Sequence, residues 1–97
     1  MTVGITDNII TIGILGSGQL GRMFSIACAQ LGIRTHIYAP NAENSPAGEI
    51  AHYTTTAAYD DDLALAAFAA NVDVITSEFE NVPATVMNLL ADYCPVS

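Results

Sequence analysis

The sequence of 97 residues has no tryptophan and no lysine, and only two arginines, Arg22 and Arg34, stand against ten acidic residues. The resulting formal charge of −8 would repel nucleic-acid phosphates and anionic lipid surfaces. The longest apolar run, residues 9–15, is far too short to span a bilayer. We therefore expect neither nucleic acid nor a membrane among the partners of this chain.

Cysteine is also scarce. The two cysteines, Cys28 and Cys94, are too few and too scattered for a disulfide framework or a zinc site. The first residues, MTVGITDN, lack the basic start of a signal peptide. These features are typical of a reduced, cytoplasmic protein. Cys28 falls within a helical apolar pattern, and we expect it to lie in the core.

Charge of either sign is rare as well. Charged residues make up 12% of the chain, about half of the ~25% usual in soluble domains, whereas apolar residues make up 52%. The length suits one small domain. So few charges cannot cover the surface of so small a body, and we expect some apolar surface to face another domain or subunit.

Strand and helix patterns alternate along the chain. The predicted strands cover residues 9–15, 33–40, 52–57 and 72–78, of which the third is the weakest. Predicted helices follow a glycine-rich turn, a run of three aspartates and Pro83. Such alternation implies right-handed crossovers and a parallel sheet. The sequence therefore predicts an α/β fold, a Rossmann-like three-layer αβα sandwich with a mostly parallel sheet of about four strands, over residues 1–97.

The first predicted helix carries apolar side chains at helical intervals, as in an amphipathic helix. They are Leu20, Met23, Phe24, Ala27, Cys28 and Leu31. Gly32 is placed to end this helix in a left-handed conformation, and a helical turn is predicted near Pro46. The run Asp60–Asp62 is predicted to cap the next helix, because carboxylates accept from free amides and favour the positive end of the dipole.

Gly16, Gly18 and Gly21 form a G-x-G-x-x-G motif between the first strand and the first helix. The three glycines permit a tight turn, close approach of a ligand and close helix–strand packing. A dinucleotide site also needs an acid about 20 residues later, at the end of the second strand, and Ala39 occupies that place. The alternative function is a stand-alone Rossmann-type nucleotide (NAD) binding or regulatory module. Ala39 argues against this alternative.

The same turn carries Gln19 and Arg22. Each can be a solvated surface residue. Alternatively, Gln19 points its amide over the carboxyl edge of the sheet, where ligands collect in open parallel sheets, and Arg22 contributes to the same site.

Two acids, Glu78 and Glu80, end the last predicted strand. Crossover topology makes this strand a neighbour of the first one, so the acids should approach the glycine turn. We expect Glu80 to contact a ligand in preference to capping the next helix, whereas the two roles are equally weighted for Glu78. Asn81 suits the turn more than the ligand.

No partner histidine, nucleophile or set of metal ligands supports acid–base catalysis by these acids. His36 is expected to be packed and hydrogen-bonded within a strand, and His52 to be exposed in a loop. The sequence therefore predicts no catalytic residue and no metal site.

GILGSGQLGRM, followed roughly fifty residues later by DVITSEFENVP, resembles one family, carboxyaminoimidazole ribonucleotide synthetase, the ATP-dependent carboxylase subunit of purine biosynthesis. The intervening YAPNAENSPAGEIA and AAYDDDLALAAFA are similar to the same family, so the resemblance covers nearly the whole chain. It implies that residues 1–97 are the amino-terminal, pre-ATP-grasp part of a three-part ligase. The ATP-grasp and carboxy-terminal domains would then lie outside this chain.

The resemblance further implies an enzyme that uses ATP and bicarbonate to form carboxyphosphate and then carboxylates the exocyclic amine of aminoimidazole ribonucleotide, with Mg²⁺ neutralising the phosphates. The ATP and Mg²⁺ sites are expected outside this chain, which should be inactive alone and should bind no cofactor. The intact enzyme is expected to be a homodimer.

The resemblance also assigns roles to single residues. The residues expected to contact the ribonucleotide are Gly18, Gln19, Leu20 and Glu80, and the loop is shaped by Gly16, Ser17 and Gly21. Ser17 replaces a third glycine that many relatives carry, a small change. Ala39 replaces an acid that is frequent in relatives, so any contact made by that acid is in doubt here.

Overall fold

A computed structural model describes residues 9–77 together with positions 88, 89, 91 and 95. Its elements are, in order, β1 (Thr11–Leu15), α1 (Gln19–Gln30), β2 (Arg34–Ala39), a 3₁₀ helix (Ala42–Asn44), β3 (Tyr53–Thr56), α2 (Asp62–Ala70) and β4 (Val74–Ser77). The four strands form one parallel sheet in the order β3-β2-β1-β4. The predicted α/β fold with a sheet of about four strands is confirmed. Within these residues, no helix is long and apolar enough to cross a membrane.

The strands are shorter than the apolar runs that predicted them. β1 begins at Thr11, and Ile9 and Ile10 are exposed, although residues 9–15 were expected to form the strand. The later start coincides with two bonds to Asp73, the residue before β4. The Thr11 amide donates to the Asp73 carboxylate at 2.8 Å, and the Asp73 amide donates back to the Thr11 carbonyl. These reciprocal bonds mark the point at which pairing of β1 with β4 begins.

One face of the sheet packs against α2. Successive strand residues alternate between the two faces, so odd-numbered positions of β1 and β4 share this side. The buried members of the cluster are Leu15, Tyr38, Leu65, Phe68, Ala69, Val72 and Ile75. Partly buried Leu89 packs against the same cluster, so this core is closed by several parts of the domain.

Helix α1 covers the other face. The buried residues of that layer are Ile14, Ile37, Ala39, Ala42 and Ala47. The side of α1 that is buried consists of Gly21, Ser25 and Cys28. Cys28 is in the core as predicted, and burial raises the pKa of its thiol.

The apolar flank predicted for α1 is not its buried side. Leu20, Met23 and Leu31 are 68%, 63% and 76% exposed, and Phe24 is 41% exposed. At 3.6 residues per turn, this flank is centred about a quarter turn from the buried side. The small residues at positions 21, 25 and 28 let the helix approach the sheet closely, which is why they are buried instead of the larger side chains.

The ends of the helices follow the predictions more closely. Gly32 adopts a left-handed φ of +77° just after α1. Asp61 caps α2 by accepting from the Ala64 amide at 3.0 Å. Residues 46–50 form turns, in which the Glu49 amide donates to the Ser45 carbonyl at 3.1 Å and the Ala51 amide to the Ala47 carbonyl at 3.0 Å, so a helical turn lies near Pro46 as predicted. A short 3₁₀ helix that was not predicted precedes it at Ala42–Asn44.

The two histidines lie as predicted. His36 is buried in β2, where its Nε2 shares a 2.6 Å hydrogen bond with Thr55 Oγ1 and its ring meets Phe68 edge-on. Burial lowers the pKa of His36. His52 is exposed.

Candidate functional site

The carboxyl ends of the central strands meet at one edge of the sheet. Leu15, the last residue of β1, is in register with Tyr38 of β2 and with Ser77 of β4. The glycine turn that follows Leu15 therefore starts beside the end of β4, as predicted. In open parallel sheets, this edge is where ligands bind.

The glycine turn begins with a conformation that requires glycine. Gly16 has a φ of +119°, a region that residues with side chains rarely adopt. Its amide donates to the Tyr38 carbonyl at 3.0 Å, which pins the turn to the end of β2. The chain then reverses, and Gly18 is the N-cap of α1.

The first turn of α1 presents the residues predicted to bind a ligand. Gln19 and Leu20 are the first two residues of the helix, and both are exposed at this edge. As Gly18 has no side chain and the first turn contains no acid, neither covers the positive end of the helix dipole. This arrangement favours a polar or anionic ligand over the turn.

Residues 40–52, which join β2 to β3 and which we call the supporting loop, contact the glycine turn from one side. Ser17 Oγ donates to Asn41 Oδ1 at 3.0 Å, and the Ala47 amide donates to the Ser17 carbonyl at 3.2 Å. Ser17, placed among the loop-forming residues, thus joins two loops through its side chain and its backbone.

Arg22 joins the same two parts of the molecule. Its guanidinium donates to the Pro46 carbonyl at 3.2 Å and lies 3.4 Å from Glu49 Oε1. Because both side chains are partly exposed, the ion pair contributes little to stability, on the order of 0–1 kcal/mol. Through these two contacts Arg22 connects α1 to the supporting loop, a role that the sequence did not distinguish from that of a surface charge.

The supporting loop is itself tightly closed. Buried Ser45 donates through Oγ to the Ala42 carbonyl at 2.6 Å and accepts from the Gly48 amide at 2.9 Å. A Cβ atom at Gly48 would collide with the Ala42 carbonyl oxygen. Sequence reasoning missed these residues, although a serine and a glycine flanking Pro46 could have indicated a compact turn.

The end of β2 offers no carboxylate to a ribose. Ala39 is 1% exposed, and its carbonyl accepts from the Ala57 amide at 3.2 Å. The place that an acid occupies in dinucleotide-binding proteins is therefore a packed aliphatic position.

Glu78, Glu80 and Asn81 lie outside the described residues, so their roles stay predictions. Among residues 9–77 and the four later positions, no group of three or more His, Cys, Asp or Glu side chains could hold a metal ion.

Comparisons with known proteins agree with the geometry. Residues 9–97 match the family model described as ribonucleotide synthetase pre-ATP-grasp domain. N5-carboxyaminoimidazole ribonucleotide synthase of Brucella melitensis is 52% identical over 82 residues, which is 84% of this chain and 22% of that protein. The resemblance inferred from the paired motifs is thereby confirmed.

Solved structures of the same kind share the fold. N5-carboxyaminoimidazole synthetase from Staphylococcus aureus, complexed with ADP, superposes with a TM-score of 0.82 at 38% identity over 90% of this chain and 23% of its own. The Aspergillus clavatus synthase, in complex with ADP and 5-aminoimidazole ribonucleotide, gives a TM-score of 0.79 at 31% identity over 92% and 24%. The present chain thus spans less than a quarter of the length of these relatives.

Proposed function

The chain belongs to the ribonucleotide synthetase pre-ATP-grasp family, and on that premise we propose that it is the amino-terminal domain of a longer ligase of purine biosynthesis. The longer enzyme uses ATP and bicarbonate to carboxylate the exocyclic amine of aminoimidazole ribonucleotide through carboxyphosphate. ATP and Mg²⁺ are held by the ATP-grasp part outside this chain. The intact enzyme is cytoplasmic and a homodimer, and this chain alone is inactive.

The observation that carries the proposal is the register of β1 with β4. Since Leu15 pairs with Ser77, the residues that immediately follow both strands emerge at the same edge. Gln19 is exposed at that edge on the β1 side, and the EFEN segment begins one residue after Ser77. A side-chain amide and a carboxylate can therefore reach one small molecule there.

Within this site, Gly18, Gln19 and Leu20 contact the ribonucleotide from the glycine turn, and Glu80 contacts it from the β4 side. Gly16, Ser17 and Gly21 shape the turn. Arg22 acts through the supporting loop and is a positioning residue. Glu78 and Asn81 complete the β4 side, with Asn81 holding the turn.

The test uses the protein with its natural downstream sequence. We expect ATP turnover that depends on bicarbonate and is stimulated by aminoimidazole ribonucleotide, measured as ADP release. A folded longer protein that shows no such stimulation would overturn the proposal.

Site residues are tested by variants of the longer protein. Gln19→Ala removes one hydrogen-bonding group and should raise KM for the ribonucleotide about tenfold, while Glu80→Gln removes a charge-assisted contact and should raise it about ten- to a hundredfold. Gln30→Ala is the matched control, because Gln30 is exposed at the opposite end of α1 from the glycine turn. Unchanged KM in both site variants would remove these residues from the site.

The alternative, a stand-alone module that binds NAD, is disfavoured by buried Ala39 at the end of β2. Calorimetric titration of the 97-residue chain with NAD tests it. Saturable binding would favour the alternative.

A further inference from the structure

Helix α1 exposes a continuous apolar strip, which we call the α1 stripe. It consists of Leu20, Met23, Phe24, Ala27 and Leu31, all exposed. Their spacing of three or four residues places them on one flank of the helix. Large apolar side chains scattered singly on a surface need no explanation, but a contiguous set on one helix does.

The α1 stripe borders a groove of about 360 Å³ between α1 and β4. The groove is lined by Leu20, Gly21 and Phe24 from the helix side and by Ile14, Thr76 and Ser77 from the sheet. Among the residues that the structure describes, no charged residue lines it. Arg22, the one charged residue of α1, bonds to Pro46 and Glu49 on the opposite flank. A partner that fills this groove must therefore be largely apolar.

The course of the chain indicates the partner. The Pro95 carbonyl accepts from the Ile75 amide at 2.9 Å, so the polypeptide passes the outer edge of β4, the strand that borders the groove. Relatives continue for several times the length of this chain. In such a protein the chain therefore continues from near the outer edge of β4, the strand whose Thr76 and Ser77 line the groove.

A second copy of this chain fits the surface less well. The 97-residue chain carries a formal charge of −8, so two free copies of it repel each other in solution. A domain joined covalently is held nearby at high effective concentration and need not overcome that repulsion from solution.

We propose that the α1 stripe and its groove are the docking surface for the remainder of the polypeptide, which covers them with apolar side chains. This inference rests on the proposed function for the existence of that remainder. Docking there places the following domain beside Gln19 at the ligand-binding edge of the sheet. The reason is that Leu20 belongs both to the α1 stripe and to the first turn of α1.

Hydroxyl-radical footprinting with mass spectrometry tests the proposal on the 97-residue chain and on the longer protein. We expect Met23, Phe24 and Leu31 to react about fivefold or more slowly in the longer protein. Leu63 is the internal control, since it is 86% exposed at the start of α2, the helix on the opposite face, and should react equally in both. Equal reactivity of Met23, Phe24 and Leu31 in the two proteins would overturn the proposal.

Two variants separate docking from folding. Met23→Glu and Leu63→Glu both change exposed positions, so neither should shift the melting temperature of the 97-residue chain. In the longer protein, only Met23→Glu should restore fast reaction of Phe24. If Phe24 stays protected in the Met23→Glu protein, the stripe is not the docking surface.

The remaining outcomes are also decisive. Protection that increases with the concentration of either protein would assign the stripe to self-association and overturn the proposal. Ribonucleotide-stimulated ATP turnover without protection would leave the proposed function standing and end this inference. Protection without turnover would leave this inference standing and overturn the proposed function.

Discussion

Helices α1 and α2 cover opposite faces of one sheet, yet they use their apolar residues differently. α2 directs Leu65 and Phe68 into a core that is closed within the domain. α1 buries Gly21, Ser25 and Cys28, and leaves its larger apolar side chains outside. Apolar residues on a helix thus have two different placements here, since α2 completes its own core whereas the larger apolar side chains of α1 face outward.

The difference shows where the stability of the 97-residue chain resides. On the α2 face, His36, Tyr38 and Phe68 form a chain of ring contacts, with the Phe68 ring 5.0 Å and 5.2 Å from its two neighbours. On the α1 face, small residues give close backbone approach but little apolar burial. The α2 face should therefore contribute more to the free energy of unfolding.

A matched pair of phenylalanines tests this most strongly. Phe68→Ala should lower the free energy of unfolding by about 3–5 kcal/mol, because Phe68 is fully buried. Phe24→Ala should lower it by about 1 kcal/mol or less, because the ring is 41% exposed. Urea denaturation of the 97-residue chain measures both. Equal losses would mean that the α1 stripe is already part of the core.

Two opposite substitutions, serine to alanine in α1 and alanine to serine in α2, compare the two faces of the sheet. Ser25 Oγ is buried without a hydrogen-bond partner in the described part of the molecule, so Ser25→Ala should stabilise the chain by about 1 kcal/mol. Ala69→Ser buries a new hydroxyl on the α2 face and should cost about 1–3 kcal/mol. Thermal unfolding of the two variants measures both changes. Loss of stability in Ser25→Ala would reveal a partner for that hydroxyl.

The smallest effect concerns pH and belongs to the α2 face. Burial lowers the pKa of His36 below its ordinary value of 6.5, so the folded chain binds fewer protons than the unfolded one. The stability that results is present above pH 6.5 and is lost as the pH falls through the folded pKa, by at most about 1.4 kcal/mol per pH unit. His36→Gln should flatten the dependence of the denaturation midpoint on pH below about pH 6.5.

His52→Gln is the control for that measurement. His52 is exposed, so this variant should keep the pH dependence of the parent chain. The interpretation fails if His52→Gln flattens the curve and His36→Gln does not.

Much of the fold follows from the sequence because its rules are local or topological. Buried β-branched runs, the aspartate cap at Asp61 and the left-handed Gly32 are set by neighbouring residues, and the pairing of β1 with β4 follows from the handedness of crossovers. The burial of α1 could not be predicted in this way. Periodicity identifies an apolar flank, but it does not say which neighbour covers it.

The candidate site likewise has one part that could be predicted from the sequence and one part that could not. The glycine turn and the exposure of Gln19 could be predicted, because the motif determines its own backbone. The supporting loop could not, since the bonds from Ser17 to Asn41 and from Arg22 to Pro46 join residues 24 positions apart. Such contacts depend on how two loops meet after the sheet has formed.

The bond between the Thr11 amide and Asp73 spans 62 positions of sequence. On the ribosome, β1 therefore emerges long before β4, and the edge of β1 that pairs with β4 stays unpaired during that time. Synthesis at roughly 5–20 residues per second leaves that strand edge open for several seconds. Throughout that interval the nascent chain offers an unpaired apolar strand to chaperones and to aggregation.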